Sequence, residues 1–415
     1  MKKTLLALAA FVFAPAGFIA YKEQASLVTR EVPAVKQALL PIHSPEWRSM
    51  LDEYEAYVRQ SMRLTGLPGA AIAIIKDSAI IYLKGFGVRD VKTNEPVDLH
   101  TVFRLASVSK CFSSLLTATL VEDSLLAWND PVIKYLPGFS LRNADQTEKL
   151  TLQHVLSHTT GLPYHAYTNL IEEGYGLDEM LGQLKNVELI GASGKVYAYQ
   201  NVAYSLIGEV IESATGKTFE QQMKERVFMP LQMMDASLTY DDIIRNENKA
   251  QPHLYRGRQW REIPISDKYY NVAPAGGINA SISDMAKWMQ AMLGNRQEVI
   301  SSKTLATLFE ARIRAGAKNR HFNQWSRIKK SHYGLGWRIL GFQKDTLAYH
   351  GGYVNGYRSE VAIHPTEKLA ICVLANGPAR FSDLAIPSFF KIYDRYRKLP
   401  TQRKEPAIAS AGGGS

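Results

Sequence analysis

The hydrophobic positions change period twice along this chain. Trp47, Leu51, Tyr54, Tyr57 and Val58 recur at helical spacing, which predicts an amphipathic helix over 46–64. Two β-like runs follow, Ala70 to Ile75 and Ile80 to Gly87. The polar Lys76-Asp77-Ser78 between them is a hairpin signal. From about 91 to 330 the pattern is one of helical segments and loops. Ser107–Leu120 is apolar and periodic and follows a strand-like run, Thr101 to Leu105. Thr151–His158 is short and is closed by Gly161 and Pro163; Ala203–Ser213 stops before Gly216. Ser283–Leu293 carries Asp284 in its first turn, where the helix dipole favours it. After 332 the β pattern returns in the runs Gly334–Leu340, Thr346–His350, Tyr357–Ile363 and Leu369–Leu374. The last element, Phe381–Tyr396, is amphipathic, with Leu384, Phe389, Ile392, Tyr393 and Tyr396 in one stripe.

This order predicts an α+β fold. One antiparallel sheet is built from both chain ends, and terminal helices cover one of its faces. A large, mostly helical lobe is inserted at about 91–330, within a single domain spanning 46–396. Ligand sites favour the seam between two such lobes. Ahead of the domain, Lys2 and Lys3 precede the apolar run Leu5 to Ala20, and Ala14-Pro15-Ala16 offers a small-residue cleavage site. Residues 1–20 therefore read as a secretory signal or an N-terminal anchor. Residues 21–45 read as a Pro-containing linker. The tail, 397–415, reads as disordered and ends in the linker-like Gly412-Gly413-Gly414-Ser415. The expected location is the periplasm or cell envelope, with membrane association through the N-terminal segment.

The chain has 415 residues, 46% hydrophobic and 21% charged, enough to bury a large core. Its formal net charge of +10 favours anionic surfaces such as wall polymers. Nucleic acid is disfavoured as a partner, because Lys and Arg are scattered and no RNA-binding signature is present. The two cysteines, Cys111 and Cys372, each sit in an apolar run and read as buried thiols; pairing would require the two elements to touch.

Three patterns carry chemistry. Ser-x-x-Lys occurs three times, at Ser107/Lys110, Ser326/Lys329 and Ser388/Lys391. Only Ser107 begins an apolar helix directly after a strand-like run. Ser326 lies in a polar stretch, and Lys391 fits a solvated helix face. Residues i and i+3 share a helix face, so Lys110 reaches Ser107 and takes its proton if burial or a nearby cation depresses the amine's pKa. Amides at the helix start supply one oxyanion donor. Tyr-x-Asn occurs four times, at Tyr167, Tyr199, Tyr269 and Tyr353. Tyr199-Gln200-Asn201 immediately precedes an apolar helix. A Tyr199 phenolate favoured by the lysine would share the proton work. Asn201 would orient Lys110 and donate to a substrate carbonyl. His350-Gly351-Gly352 occurs once, at the end of a strand-like run. Its glycines permit close backbone approach, and Tyr353 N–H is a candidate second oxyanion donor. This chemistry calls for no cofactor. His154 and His158 have zinc-like i, i+4 spacing. The residue after His154 is Val155 rather than a glutamate, and no third ligand follows, so a structural role is expected.

Together these motifs resemble those of the class C β-lactamase-like serine hydrolases, a family that includes penicillin-binding proteins, D-aminopeptidases and family VIII esterases. Phe103-Arg-Leu-Ala-Ser107, Leu156-Ser-His-Thr-Thr-Gly-Leu-Pro163, Ala275-Gly-Gly277 and Tyr333-Gly-Leu-Gly-Trp337 extend the resemblance over about 50–395. It implies a two-lobed fold and an acyl-enzyme on Ser107. It also implies proton transfer by Lys110 and Tyr199, and substrate binding by Asn201, His350, Gly351, Gly352 and Tyr353. His350 stands where class C β-lactamases carry the lysine of Lys-Thr-Gly, and the following residue is glycine rather than threonine. The expected substrates are therefore D-amino-acid peptides of the peptidoglycan type, ahead of small esters and then β-lactams. A catalytically silent binding or scaffold relative is the rival reading.

Overall fold

The computed structural model describes residues 45–316, 325, 328–342 and 345–398. The expected leader, nearly all of the linker and of the tail, and Ser326 of the second Ser-x-x-Lys match lie outside the described residues. Strand β1 (Gly69–Lys76) and strand β2 (Ala79–Gly87) form the predicted hairpin. They join β7 (Ile313–Arg314), β8 (Lys330–Tyr333), β9 (Arg338–Gly341), β10 (Thr346–Val354), β11 (Tyr357–His364) and β12 (Leu369–Ala375). Among the described residues the resulting antiparallel sheet has eight strands in the order β2-β1-β12-β11-β10-β9-β8-β7. The chain ends meet where β1 pairs with β12, Ile72 opposite Val373.

Central strands β1 and β12 are apolar at almost every position because both sheet faces are covered. Ala70, Ile72 and Ile74 face helices α1 (Pro45–Thr65) and α13 (Arg380–Tyr396). Ala71, Ala73 and Ile75 face the helical lobe. That lobe contains α2 (Ser109–Glu122), α3 (Ala144–Lys149), α4 (Leu152–Leu156), α5 (Thr168–Glu173), α6 (Leu177–Gln183), α7 (Val202–Thr215) and α8 (Phe219–Met223). It continues with α9 (Tyr240–Arg245), α10 (Ala273–Gly276), α11 (Ile282–Met292) and α12 (Ser302–Leu308). Phe112 of α2 stacks on Trp288 of α11 at 4.3 Å, and Trp288 stacks on Trp337 at 5.7 Å.

Three predicted elements are corrected. The lobe also holds two short β-ribbons, β3 (Val102–Arg104) with β6 (Asn279–Ser281), and β4 (His253–Arg256) with β5 (Gln259–Glu262). The run Gly334–Leu340 is a turn followed by the start of β9. Gly336 has φ +76°, and a Cβ there would stand 2.6 Å from Lys110 O, so the turn lies directly on α2. Strand β10 does not end at His350 but continues through both glycines to Val354, because β11 goes on pairing with it.

Among the described residues no helix is long and apolar enough to cross a membrane. Cys111 and Cys372 are both free and buried.

Candidate active site

Ser107 stands on a sharp turn between β3 and α2. The chain leaves β3 at Arg104 and enters a 3₁₀ turn, Ala106–Val108, in which Ala106 has φ +47°. It begins α2 only at Ser109, two residues later than its apolar pattern predicts. The turn leaves Ser107 part-exposed and places Lys110 in the first turn of α2 with no exposure. Two hydrogen bonds strap α10 onto α2, from Ser113 Oγ to Pro274 O (2.7 Å) and from Ile278 N to Ser109 Oγ (3.0 Å). They bring the carbonyl of Ala275 over the lysine.

Lys110 Nζ consequently has three oxygen neighbours: Asn201 Oδ1 at 2.8 Å, Ala275 O at 2.8 Å and Ser107 Oγ at 3.4 Å. It also lies 4.7 Å from the Tyr199 ring centroid. Among the described residues no carboxylate pairs with it; burial, assisted by Arg338, holds its pKa well below the ordinary lysine range. Tyr199 is buried beside Ser107, with which its hydroxyl interacts. Burial drives this phenol's pKa upward, against the sequence expectation of a lysine-stabilised phenolate. A neutral amine cannot stabilise a phenolate, so Tyr199 keeps its proton.

The third motif approaches from β10. A Cβ on Gly352 would sit 2.4 Å from Leu105 O and 3.0 Å from Ser107 N. Only glycine lets the strand run this close to the Ser107 turn. β9 pairs with β10 only from Thr346 to Tyr349, so from His350 to Val354 this edge has no partner strand among the described residues. The Tyr353 side chain, one position on, falls on the opposite face from Gly352 and is exposed. His350 does not offer its ring to solvent. Its Nδ1 lies 3.0 Å from Gly351 O and must donate, so Nε2 accepts from Tyr333 O–H at 2.9 Å. Burial, assisted by the nearby Arg338, pushes its pKa well below the ordinary histidine range.

The remaining Tyr-x-Asn copies serve elsewhere: Asn169 bonds Glu173, Asn271 bonds Tyr175 O and Asn355 bonds Pro264 O. Ser388 and Lys391 lie on α13, across the sheet, with Lys391 exposed. His154 Nδ1 accepts from Thr151 N and His158 Nδ1 from Gln200 N, each at 3.2 Å, so both rings are committed to backbone. Arg338 is a site residue that the motifs did not reveal. It stands one position past Trp337 and lies 5.6 Å from the Tyr199 ring centroid and 5.8 Å from that of Tyr333. Nothing in its local sequence distinguishes it from a surface arginine.

The sequence model of the family described as Beta-lactamase matches residues 54–387. The chain belongs to the beta-lactamase family. Membership supports serine hydrolase activity. Among curated relatives, the unguisins hydrolase ungD' of Aspergillus campestris is 25% identical over 335 residues, covering 78% of this chain and 61% of that protein. Protein flp of Staphylococcus aureus strain MRSA252 is 23% identical over 332 residues, covering 78% and 62%. The chain thus spans less than two thirds of the length of these relatives. The octameric penicillin-binding protein homologue from Pyrococcus abyssi shares the fold, with a TM-score of 0.71 at 24% identity over 82% of this chain and 77% of that one.

Proposed function

We propose that this beta-lactamase-family protein is a serine hydrolase that forms an acyl-enzyme on Ser107, with Lys110 as the base. The observation that carries this reading is the set of neighbours around Lys110 Nζ. A neutral amine has two N–H bonds and one lone pair. Asn201 Oδ1 and Ala275 O take the two hydrogens, which aims the lone pair at Ser107. Ser107 Oγ–H then donates to Nζ as Oγ bonds the substrate carbonyl carbon. The backbone N–H groups of Ser107 and Tyr353 receive the developing oxyanion. Tyr199, protonated and against Ser107, relays the lysine's proton to the leaving nitrogen or oxygen as its bond to carbon breaks. Water then hydrolyses the ester by the same groups in reverse. Asn201 Nδ2, not needed by Lys110, donates to a substrate carbonyl.

The favoured substrate is an amide of a D-amino-acid, peptidoglycan-type peptide. The unpaired edge of β10 suits an extended backbone, and Arg338 supplies a positive charge beside the site. Two fungal relatives are named hydrolases, which agrees with bond cleavage. Export through residues 1–20 would bring the enzyme to the cell envelope. Small esters are the second reading, favoured by a neutral, internally bonded His350 that offers no charge to a substrate carboxylate.

The test is a panel of a fluorescent fluorophosphonate, a D-Ala-D-Ala peptide, p-nitrophenyl esters and nitrocefin. Wild type should be labelled at Ser107 and should release D-Ala; Ser107→Ala should do neither. Ester turnover without D-Ala release selects the second reading, and fast nitrocefin turnover overturns the ranking. An unlabelled wild type removes the hydrolase assignment.

A further inference from the structure

We infer that His158 is a positioning residue for Tyr199, fixing both its backbone and its ring so that the hydroxyl meets Ser107; this rests on the acyl-enzyme reading above. His158 follows α4 and is buried. It holds the residues on both sides of Tyr199. Ala198 N–H donates to His158 O at 3.0 Å, and Gln200 N–H donates to His158 Nδ1 at 3.2 Å. The His158 ring lies against the Tyr199 ring, centroids 4.3 Å apart. Tyr333 at 4.8 Å and Tyr204 at 5.1 Å back the same ring. Further along, His165 N–H donates to Tyr199 O at 2.9 Å, so the segment after α4 forms the bed on which Tyr199 rests.

The residue does this at a cost to the fold. Its φ is +57°, in the left-handed region that few residues other than glycine adopt, histidine and asparagine more readily than most. Because Nδ1 accepts, the ring proton sits on Nε2, and among the described residues that buried N–H has no hydrogen-bond partner. An unmatched donor in the core is a cost that stability alone does not explain. The ring behind Tyr199 supplies a reason.

Asparagine separates the two functions of this side chain. It is comfortable at positive φ, and its Oδ1 occupies the branch position of Nδ1, so it can still accept from Gln200. What it lacks is the ring. His158→Asn leaves the ring's volume empty among the packed tyrosines, so it should melt lower than wild type, while KM stays nearly unchanged. Its kcat on the best panel substrate should fall ~10–100-fold, the penalty of a misplaced catalytic group. His158→Gly, equally suited to the backbone, is the second variant. Rates are expressed per fluorophosphonate-labelled Ser107, so unfolded molecules do not count. The deciding measurement is a double-mutant cycle with Tyr199→Phe. In that background, where the hydroxyl is already gone, His158→Asn should have no further effect on kcat. Wild-type kcat in both His158 variants overturns the inference, as does an equal loss with and without the Tyr199 hydroxyl, although the hydrolase reading then stands. An unlabelled wild type overturns both.

Discussion

At the scale of single residues, the site is governed by a cation that burial does not let stay charged. Lys110 is enclosed by carbonyl oxygens and aromatic faces, and Arg338 adds like-charge repulsion. Its folded pKa lies far below the ordinary value of 10.5. The sign for activity follows directly. At acid pH Lys110 carries a proton and cannot accept one from Ser107. The rate should rise with pH as Lys110 deprotonates, and reach its plateau well below pH 10.5. A kcat/KM profile of the free enzyme reads this limb, and an acid limb centred near 10.5 would exclude Lys110 as the base. Lys110→Arg keeps the positive charge but never yields a lone pair. It should cost on the order of a thousand-fold in acylation, within the range for losing a general base. Near-normal fluorophosphonate labelling of that variant would count against the mechanism.

At the scale of elements, helix starts decide how charges are placed. The first turn of α11 shows a conflict between two effects. Ser281 caps it, accepting from Asp284 N at 3.1 Å, and the helix dipole favours the Asp284 carboxylate. But the Asp284 side chain has 0% exposure, Asp235 lies close by, and Lys287 approaches only to 3.9 Å. Burial outweighs the dipole and raises the Asp284 pKa from 3.8 to about 7. His100, bonded to Asp235 at 2.8 Å, completes the cluster. Since the folded state holds this proton more tightly than the unfolded chain, stability falls as pH rises between about 4 and 7 and then levels off. The contribution is at most about 4 kcal/mol. Asp284→Asn keeps an oxygen for Asp235 N and removes the charge. Its melting temperature should exceed that of wild type at pH 8, with the gap closing towards pH 4. A gap independent of pH would show that Asp284 is not the titrating group.

At the scale of the whole molecule, the sheet is a closure between the two ends of the chain, and α13 is its lid. Phe381, Ala385, Ile386, Phe389, Ile392 and Tyr393 are buried against the face that Ile72, Ile74, Ile371 and Val373 present. At ~1.5–3 kcal/mol per large apolar side chain, this helix contributes on the order of 10 kcal/mol, comparable with the net stability of a typical domain. A chain stopped after Pro378 should not fold. Circular dichroism and a loss of Ser107 labelling read that outcome, and a cooperative melt in the truncated chain would contradict it. The site depends on the same closure, because Gly352 is held against the Ser107 turn by β11, and Ser359 Oγ of β11 bonds Leu105 O at 2.5 Å.

Sequence alone determined what periodicity and motif order encode. The α+β class, the terminal helices, the β1–β2 hairpin and the identity of Ser107, Lys110, Tyr199 and His350 as candidates were legible in it. These depend on side chains close in sequence, or on residue types a local role demands. Tertiary structure alone decided the rest. It split Gly334–Leu340 into a turn and a strand, because α2 lies against Gly336. It extended β10 through the glycines, because β11 pairs there. It also reversed the expected charge on Tyr199 and enclosed the His350 ring, and it brought Ala275 O, His158 and Arg338 to the site. Protonation depends on how much water and how many charges surround a group, and those surroundings are assembled from segments far apart in the chain. Sequence shows which groups can ionise, but the packing of α2, α7, α10 and β10 around Lys110 decides which of them do.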